Sequence, residues 1–401
     1  MTATSRPDGL DSDRHDEAAA PRFVLAGGGS GGHLCPGLAV AEAIRRESPA
    51  SRVLFLAPGR AVEDLLFAHA RYERRRVTSL RGRGGYLALP HRAVASLAQS
   101  LAILARFRPA AVVGLGGFGS VPPALAARAL RIPLVLLEQN AVAGKANVFL
   151  SRRAERVYCA FPSAAKEMPG AAVDVVGNPT RRDVLEGDRE AAYRFFGLEP
   201  RRRTLLVLGG SQGAAALNTA VIAHLHRLGT LRDGVQSLHV TGARDVARVR
   251  EVYEREGVPA YVTPFLAEMG LAYAVADLAL SRAGGTTVAE LLGNGVPSVL
   301  VPYPHHADRH QLRNAQEAVA AGAAVICEEE SLSDPKAFLQ HVVGLLVVDP
   351  DRRRAMAARA RAAARTNAAD VVAADLLRLA ATRATRSPRE PARWRVRPSA
   401  G

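Results

Sequence analysis

The sequence has little of what marks several protein classes. Its three cysteines, Cys35, Cys159 and Cys327, are odd in number and far apart. They form neither a disulfide framework nor a metal-ligand spacing, and read as free thiols of a reducing compartment. No apolar run reaches the ~18 residues that a membrane span needs. The opening stretch, MTATSRPDGLDSDRHDE, lacks the apolar core of a signal peptide, so a cytoplasmic chain is expected. Aromatics make up 5% and are not interleaved with the basic stretches, and no recognition-helix motif occurs. Nucleic acid is therefore a poor partner despite a net charge of +15. No glycine turn is followed by the Lys-Ser/Thr of a P-loop, which removes ATP or GTP hydrolysis. Neither a protein-bound metal nor a cofactor is expected.

What is present is apolar material for two cores: 401 residues, 48% of them hydrophobic. Short apolar runs alternate with helical stretches, as in parallel sheets covered on both faces. Strands are expected at Arg22–Ala26, Arg52–Leu56, Ala110–Leu115 and Leu134–Leu137, with a first helix through PGLAVAEAIRRE. After a joint near Gly177–Pro179 the pattern restarts with Thr204–Leu208 and one helix over AAALNTAVIAHLHRL. Further strands are expected at Gln236–Val240, Leu278–Ser281 and Ser298–Val301. The fold class is thus α/β, two Rossmann-like domains in tandem whose ligands meet in the cleft between them. The expected boundaries are a disordered tail over 1–21, a first domain over 22–180, a second over 181–365, and a disordered basic tail over 384–401. A C-terminal helix, 366–383, would complete the first domain.

The charge is unevenly divided. Residues 23–180 carry +11, residues 181–365 only +2, and the last nineteen residues +5. An anionic surface facing the first half follows from this asymmetry.

Four glycine-rich turns stand where strands end. Gly27-Gly28-Gly29-Ser30-Gly31-Gly32 satisfies G-x-G-x-x-G and leads into the first helix, the placement of an anion-binding turn. A dinucleotide site would need an acid at the end of the second strand, but that strand ends Leu56-Ala57-Pro58-Gly59-Arg60. Gly209-Gly210-Ser211-Gln212-Gly213 is the second turn, and it also reads as the G-x-S-x-G elbow of serine hydrolases. That reading needs Asp277 or Glu290 and then His305, His306 or His310, and places an elbow after a complete α/β half. The others are Gly114-Leu115-Gly116-Gly117-Phe118-Gly119-Ser120 and Ser281-Arg282-Ala283-Gly284-Gly285-Thr286-Thr287. Four such turns on two sheets suit a transferase whose donor and acceptor are both diphosphates.

The ordered set GGGSGGHLCPGLAVAEAI, SLRGRG, GLGGFGSVPPALAA, LEQNAVAGKAN, VVGNPTR, LGGSQGAAALN, SRAGGTTVAELLGNGVPSVLVPYP and ADRHQLRNA resembles the MurG family within glycosyltransferase family 28. The likeness spans roughly residues 22–380. It implies the GT-B fold and transfer of N-acetylglucosamine (GlcNAc) from UDP-GlcNAc to undecaprenyl-pyrophosphoryl-MurNAc-pentapeptide (lipid I). It also implies that Ser30, Gly31 and Gly32 lie by the donor's diphosphate and sugar and that Asn140 bonds a sugar hydroxyl. Arg181 and Ser211 would approach the diphosphate and Leu266 the uracil. Gly285, Thr286, Thr287 and Glu290 would line the nucleoside, with Glu290 on the ribose hydroxyls, and Gln311 would hold GlcNAc. The sequence departs from the family at Leu137, where His is common, at Cys35, where a larger apolar residue is usual, and by one extra glycine before the first motif. Related lipid glycosyltransferases, such as lipid-A disaccharide synthase or diacylglycerol glycosyltransferase, remain the alternative; LEQNAVAG with ADRHQ argues against them.

Inverting transfer requires a base for the acceptor hydroxyl and charge stabilisation for departing UDP. His33, directly after the first turn, is the candidate base, and Glu138 at a buried strand end is its rival. An acceptor on a lipid requires the first half to meet the bilayer. Gly116, Gly117 and Phe118 are candidate acceptor contacts. The basic run Arg71–Arg76, with Arg81, Arg83, Tyr86, Leu87 and Leu89, is the candidate membrane surface, assisted by the tail bearing Trp394. The expected location is peripheral, on the cytoplasmic face of the inner membrane. Expected partners are UDP-GlcNAc, lipid I, anionic phospholipid and other cell-wall synthesis proteins.

Overall fold

A computed structural model describes residues 20–29, 31–70, 72–80, 89–210, 214–229 and 234–385. Ser30, Arg71, Arg81, Arg83, Tyr86, Leu87, Ser211 and the tails over 1–19 and 386–401 lie outside the described residues.

The first sheet holds seven parallel strands: β1 (Arg22–Ala26), β2 (Arg52–Ala57), β3 (Glu73–Arg76), β4 (Ala111–Gly114), β5 (Leu134–Glu138), β6 (Arg156–Cys159) and β7 (Val173–Val175). Their order is β3-β2-β1-β4-β5-β6-β7. The second sheet holds β8 (Arg203–Leu208), β9 (Val235–Val240), β10 (Ala260–Thr263), β11 (Leu278–Ser281), β12 (Ser298–Leu300) and β13 (Ala324–Ile326). It is also parallel, in the order β10-β9-β8-β11-β12-β13. Both sheets reverse direction beside their first strand, between β1 and β4 and between β8 and β11. A crevice opens there at the carboxyl ends of the strands.

The continuous apolar strands are explained by burial on two faces. Phe23 and Leu25 join one core cluster while Val24 and Ala26 join another. In the second sheet Leu205 and Val207 face one cluster and Leu206 and Leu208 the other. Period-2 alternation thus sorts residues between two dry layers rather than between core and water.

The helices that matter for the site are α1 (Gly31–Glu47), α2 (Ala61–His69), α3 (Leu89–Phe107), α4 (Lys145–Ser151), α5 (Met269–Val275), α6 (Gly285–Gly293), α7 (His310–Ala320) and α8 (Ala368–Thr385). Helix α1 begins inside the glycine run, five residues before the expected PGLAVAEAIRRE. The helix expected over AAALNTAVIAHLHRL is interrupted at His224. That ring is buried, lies 4.8 Å from Phe338 and makes a hydrogen bond with the Ser333 carbonyl. Helix α8 returns to the first sheet. Val372, Leu376 and Leu379 share a cluster with Leu34 and Leu38 of α1, and Tyr158 Oη donates to Asp375 Oδ2 at 2.7 Å.

The basic run does not stand free. Glu73–Arg76 is the edge strand β3, and Arg74 and Arg76 reach Asp64 at 2.7 and 3.6 Å while Arg75 meets Glu73 at 3.2 Å. Among the described residues no helix is long and apolar enough to cross a membrane.

Candidate active site

The carboxyl ends of the two sheets enclose one cleft of about 1580 Å³. Its first wall is the turn between β1 and α1. Gly27, Gly28 and Gly29 all take positive φ, and a Cβ on Gly27 would lie 2.9 Å from that of Leu115. Glycine is required here by close approach as well as by conformation. An unforeseen residue holds the turn in place. Glu63 of α2, fully buried, accepts from Gly29 N at 2.8 Å through one oxygen and from Gly59 N and Arg60 N at 2.7 and 3.0 Å through the other. The acid missing from the end of β2 thus stands six residues after Ala57 and bonds the protein's own backbone. The Gly29 amide expected to cradle an anion is already occupied. The amino end of α1, at Gly31 and Gly32, remains directed at the cleft.

His33 follows on the first turn of α1, half-buried, against the third glycine turn. A Cβ on Gly116 would lie 3.0 Å from its imidazole, and Gly116 and Gly117 both have positive φ. Burial, and then the neighbouring His310, press the His33 imidazole down to about 4, so it is neutral at physiological pH. Beside it Gln139 donates to the Leu115 carbonyl at 3.0 Å, while its Oε1 has no hydrogen-bond partner among the described residues. Gln139 lies on the cleft and is a site residue that sequence reasoning passed over. Its only signal was its place between Glu138 and Asn140.

Glu138 does not line the cleft. Its oxygens accept from Asn140 N at 3.0 Å and from Gly144 N and Asn147 Nδ2 at 2.8 Å each. Burial raises its pKa, and these donors oppose the shift. With both oxygens engaged it fastens the loop 138–147 instead of facing a hydroxyl. Leu137 is 1% exposed and belongs to the core.

The second wall belongs to the second sheet. Glu290 on α6 accepts from Tyr273 Oη of α5 at 2.8 Å. Burial raises its pKa to about 7, against the pull of Tyr273 and Arg181. Cys35 sits close by, and burial, then Glu290, push its thiol up to about 12, so it stays protonated. Arg181 pairs with Asp183 at 3.4 Å. Gln311 of α7 uses Oε1 to accept from Tyr303 N at 2.9 Å, which turns its amide nitrogen elsewhere. Leu266, Gly285, Thr286 and Thr287 complete this wall. The cleft therefore gathers Gly31, Gly32, His33, Gly117, Phe118, Asn140, Arg181, Leu266, Gly285–Thr287, Glu290 and Gln311.

Of the two acids that the hydrolase alternative offers, Glu290 accepts from Tyr273 Oη and Asp277 lies away from the cleft. Asp277 precedes β11 at the amino end of the sheet, where it accepts from Thr204 N at 2.9 Å, opposite to the turn that follows β8.

The two halves touch directly. A Cβ on Gly285 would lie 2.1 Å from the Gln139 carbonyl oxygen. Thr286 Oγ1 donates to the Gly32 carbonyl at 2.9 Å and accepts from Asn178 at 3.2 Å, so this hydroxyl bridges the halves.

Comparison with known proteins places this architecture. Residues 23–159 match the glycosyltransferase family 28 N-terminal domain and residues 204–372 its C-terminal domain. The chain belongs to glycosyltransferase family 28. Relatives in that family include a protein of Anaeromyxobacter sp. (strain K), 42% identical over 346 residues, covering 84% of this chain and 87% of the relative. Another, from Alkalilimnicola ehrlichii, is 42% identical over 355 residues, covering 88% and 97%. Both are named UDP-N-acetylglucosamine--N-acetylmuramyl-(pentapeptide) pyrophosphoryl-undecaprenol N-acetylglucosamine transferase. Among family 28 structures, that of Acinetobacter baumannii MurG superposes with a TM-score of 0.67 at 30% identity, covering 90% of this chain and 99% of that one. The fold is GT-B, and the protein is a hexosyltransferase.

Proposed function

We infer that this protein transfers GlcNAc from UDP-GlcNAc to the 4-hydroxyl of MurNAc in lipid I, with inversion, in peptidoglycan synthesis. The observation that carries this is the convergence of Glu290, Arg181 and Gln311 from one sheet with His33 and Asn140 from the other. They meet in one cleft of a family 28 chain.

Each half supplies what its substrate needs. Glu290, once ionised, accepts from both ribose hydroxyls, and Leu266 offers an apolar contact to the uracil. Arg181 and the amino end of α1 stabilise charge on the departing diphosphate. The Gln311 amide nitrogen and Asn140 hold the sugar. His33, neutral at physiological pH, takes the proton of the acceptor hydroxyl. Its low basicity weakens that transfer until ligand charge in the closed cleft raises it. Ser30 and Ser211 keep their assignment to the diphosphate by family motif alone. Gly116, Gly117 and Phe118 take the acceptor side.

Peripheral binding to the cytoplasmic face of the membrane is supported by the +11 charge of residues 23–180. It is also supported by apolar side chains exposed on that half: Phe118 and Leu65 at the cleft, and Leu89 and Val94 on α3. Anionic vesicles should retain the protein at low salt and release it at high salt; equal retention by neutral vesicles would refute the electrostatic part. The decisive assay for the reaction is transfer of label from UDP-GlcNAc to a short-chain lipid I analogue. Failure to label that acceptor, with transfer to diacylglycerol or a lipid-A precursor instead, would overturn the assignment.

A further inference from the structure

Asn314 lies on α7 in the second half and is fully buried, yet two of its hydrogen bonds cross to the first. Its Oδ1 accepts from Ala141 N at 2.7 Å. Its Nδ2 donates to Asn140 Oδ1 at 3.1 Å and to the Ala283 carbonyl at 3.0 Å. The chemistry of these partners leaves no freedom in the amide. A backbone N–H can only donate and a carbonyl can only accept, so the Asn314 oxygen must face Ala141 and its nitrogen Ala283. The atom of Asn140 that meets this nitrogen must then be its oxygen. Asn140 is thereby turned so that its own nitrogen is the atom left to the cleft, with only a long 3.4 Å approach to Glu138 Oε1.

We propose that Asn314 is a positioning residue that joins the two halves and, in doing so, fixes Asn140 as a hydrogen-bond donor to an oxygen of the donor sugar. This rests on the reading of Asn140 as a sugar contact. Closure and sugar recognition become one event. When α7 withdraws, the Asn140 carboxamide is free to rotate and presents oxygen and nitrogen alike. Two further bonds across the same seam, Thr286 to Gly32 and Ser163 Oγ to Glu317 Oε1 at 2.8 Å, hold it closed without touching Asn140. They provide the control.

The test is a double-mutant cycle on kcat/KM for UDP-GlcNAc, with folding followed by thermal unfolding. Asn314→Ala should lower kcat/KM about tenfold to a hundredfold, the range for one directed hydrogen bond. In an Asn140→Ala background the same change should lower it by about twofold or less. Asn314→Asp keeps the size and the acceptor for Ala141 N but cannot donate. At a pH where it is ionised it should match Asn314→Ala in activity. Glu317→Ala, which removes only a seam bond, should show no coupling to Asn140. Equal losses from Asn314→Ala in both backgrounds, or full activity of Asn314→Asp, would overturn the proposal and leave the reading of Asn140 standing. An Asn140→Ala enzyme with the parent's kcat/KM would refute that reading and the proposal with it.

Discussion

Glu63→Gln is a sharp test of how the first glycine turn is held. A carboxylate offers acceptors to all three amides that point at it, whereas a carboxamide offers one oxygen and two N–H groups. Glu63 Oε2 serves both Gly59 and Arg60, so the new amide should keep its oxygen there. Its nitrogen then faces Gly29 N, donor against donor. One charge-assisted bond is lost and a buried amide is left unpaired, together worth about 2–3 kcal/mol. Gly29 and Arg60 lie on the cleft, where water can reach them, which favours the lower figure. At roughly 2–4 °C per kcal/mol for a domain of this size, the unfolding temperature should fall by about 4–8 °C. Gly29 stands just ahead of α1, so the shift should also displace His33. We expect kcat to fall about tenfold while KM for UDP-GlcNAc stays within about twofold, because most donor contacts belong to the second half. Calorimetry and initial rates on the same preparation decide the matter. An unfolding temperature within 1 °C of the parent with unchanged kcat would show that the turn holds itself and that Glu63 is incidental.

Other outcomes follow from the same geometry. With a Glu290 pKa raised to about 7, ionisation costs stability in the free enzyme above that pH and nothing below the ordinary carboxylate value. Glu290→Gln should therefore raise the unfolding temperature at pH 8, with the gain shrinking as pH falls from 7 towards 4.5; a constant difference would refute the shift. KM for UDP-GlcNAc should rise as pH falls through about 7 in the parent and stay flat in Glu290→Gln, since only the carboxylate accepts two ribose hydroxyls. His33→Ala should lower kcat by at least a hundredfold. Near-normal kcat with a raised KM would instead make His33 a binding residue. Gly285→Ala should force the halves apart at Gln139, with kcat/KM falling at least about tenfold and each half remaining folded by circular dichroism.

What could be read from the sequence was whatever repeats along it. Strands β1, β2, β4, β5, β8, β11 and β12 declare themselves because burial on both faces makes each a largely apolar run, whereas β9 carries Gln236, Ser237 and His239 and is marked mainly by its place between helices. Edge strands have no such signature, and β3 is the clearest case. Glu-Arg-Arg-Arg looks like a solvated patch for the membrane, yet Asp64 on the preceding helix makes it an acceptable edge. The site divides in the same way. Residues set at fixed offsets from a glycine turn, such as His33 or Glu290, were legible because turn and helix dictate where they point. Glu63, Gln139 and Asn314 were not, because each acts across the fold through partners distant in the chain: Gly29, Leu115 and Ala141. Their common feature is a single amide or carboxylate that satisfies buried backbone groups and, by doing so, sets the direction of a neighbour on the cleft. If that division is general here, substitutions at these three positions should change catalysis without removing any group that touches substrate, apart from Gln139. The buried, unpartnered oxygen of Gln139 borders Gly116 together with the His33 imidazole. Gln139→Glu keeps an acceptor there but loses the bond to Leu115, and it places a charge that would raise the pKa of His33. The acid limb of kcat should then move to higher pH; an unmoved limb would mean that Gln139 and His33 do not sense each other.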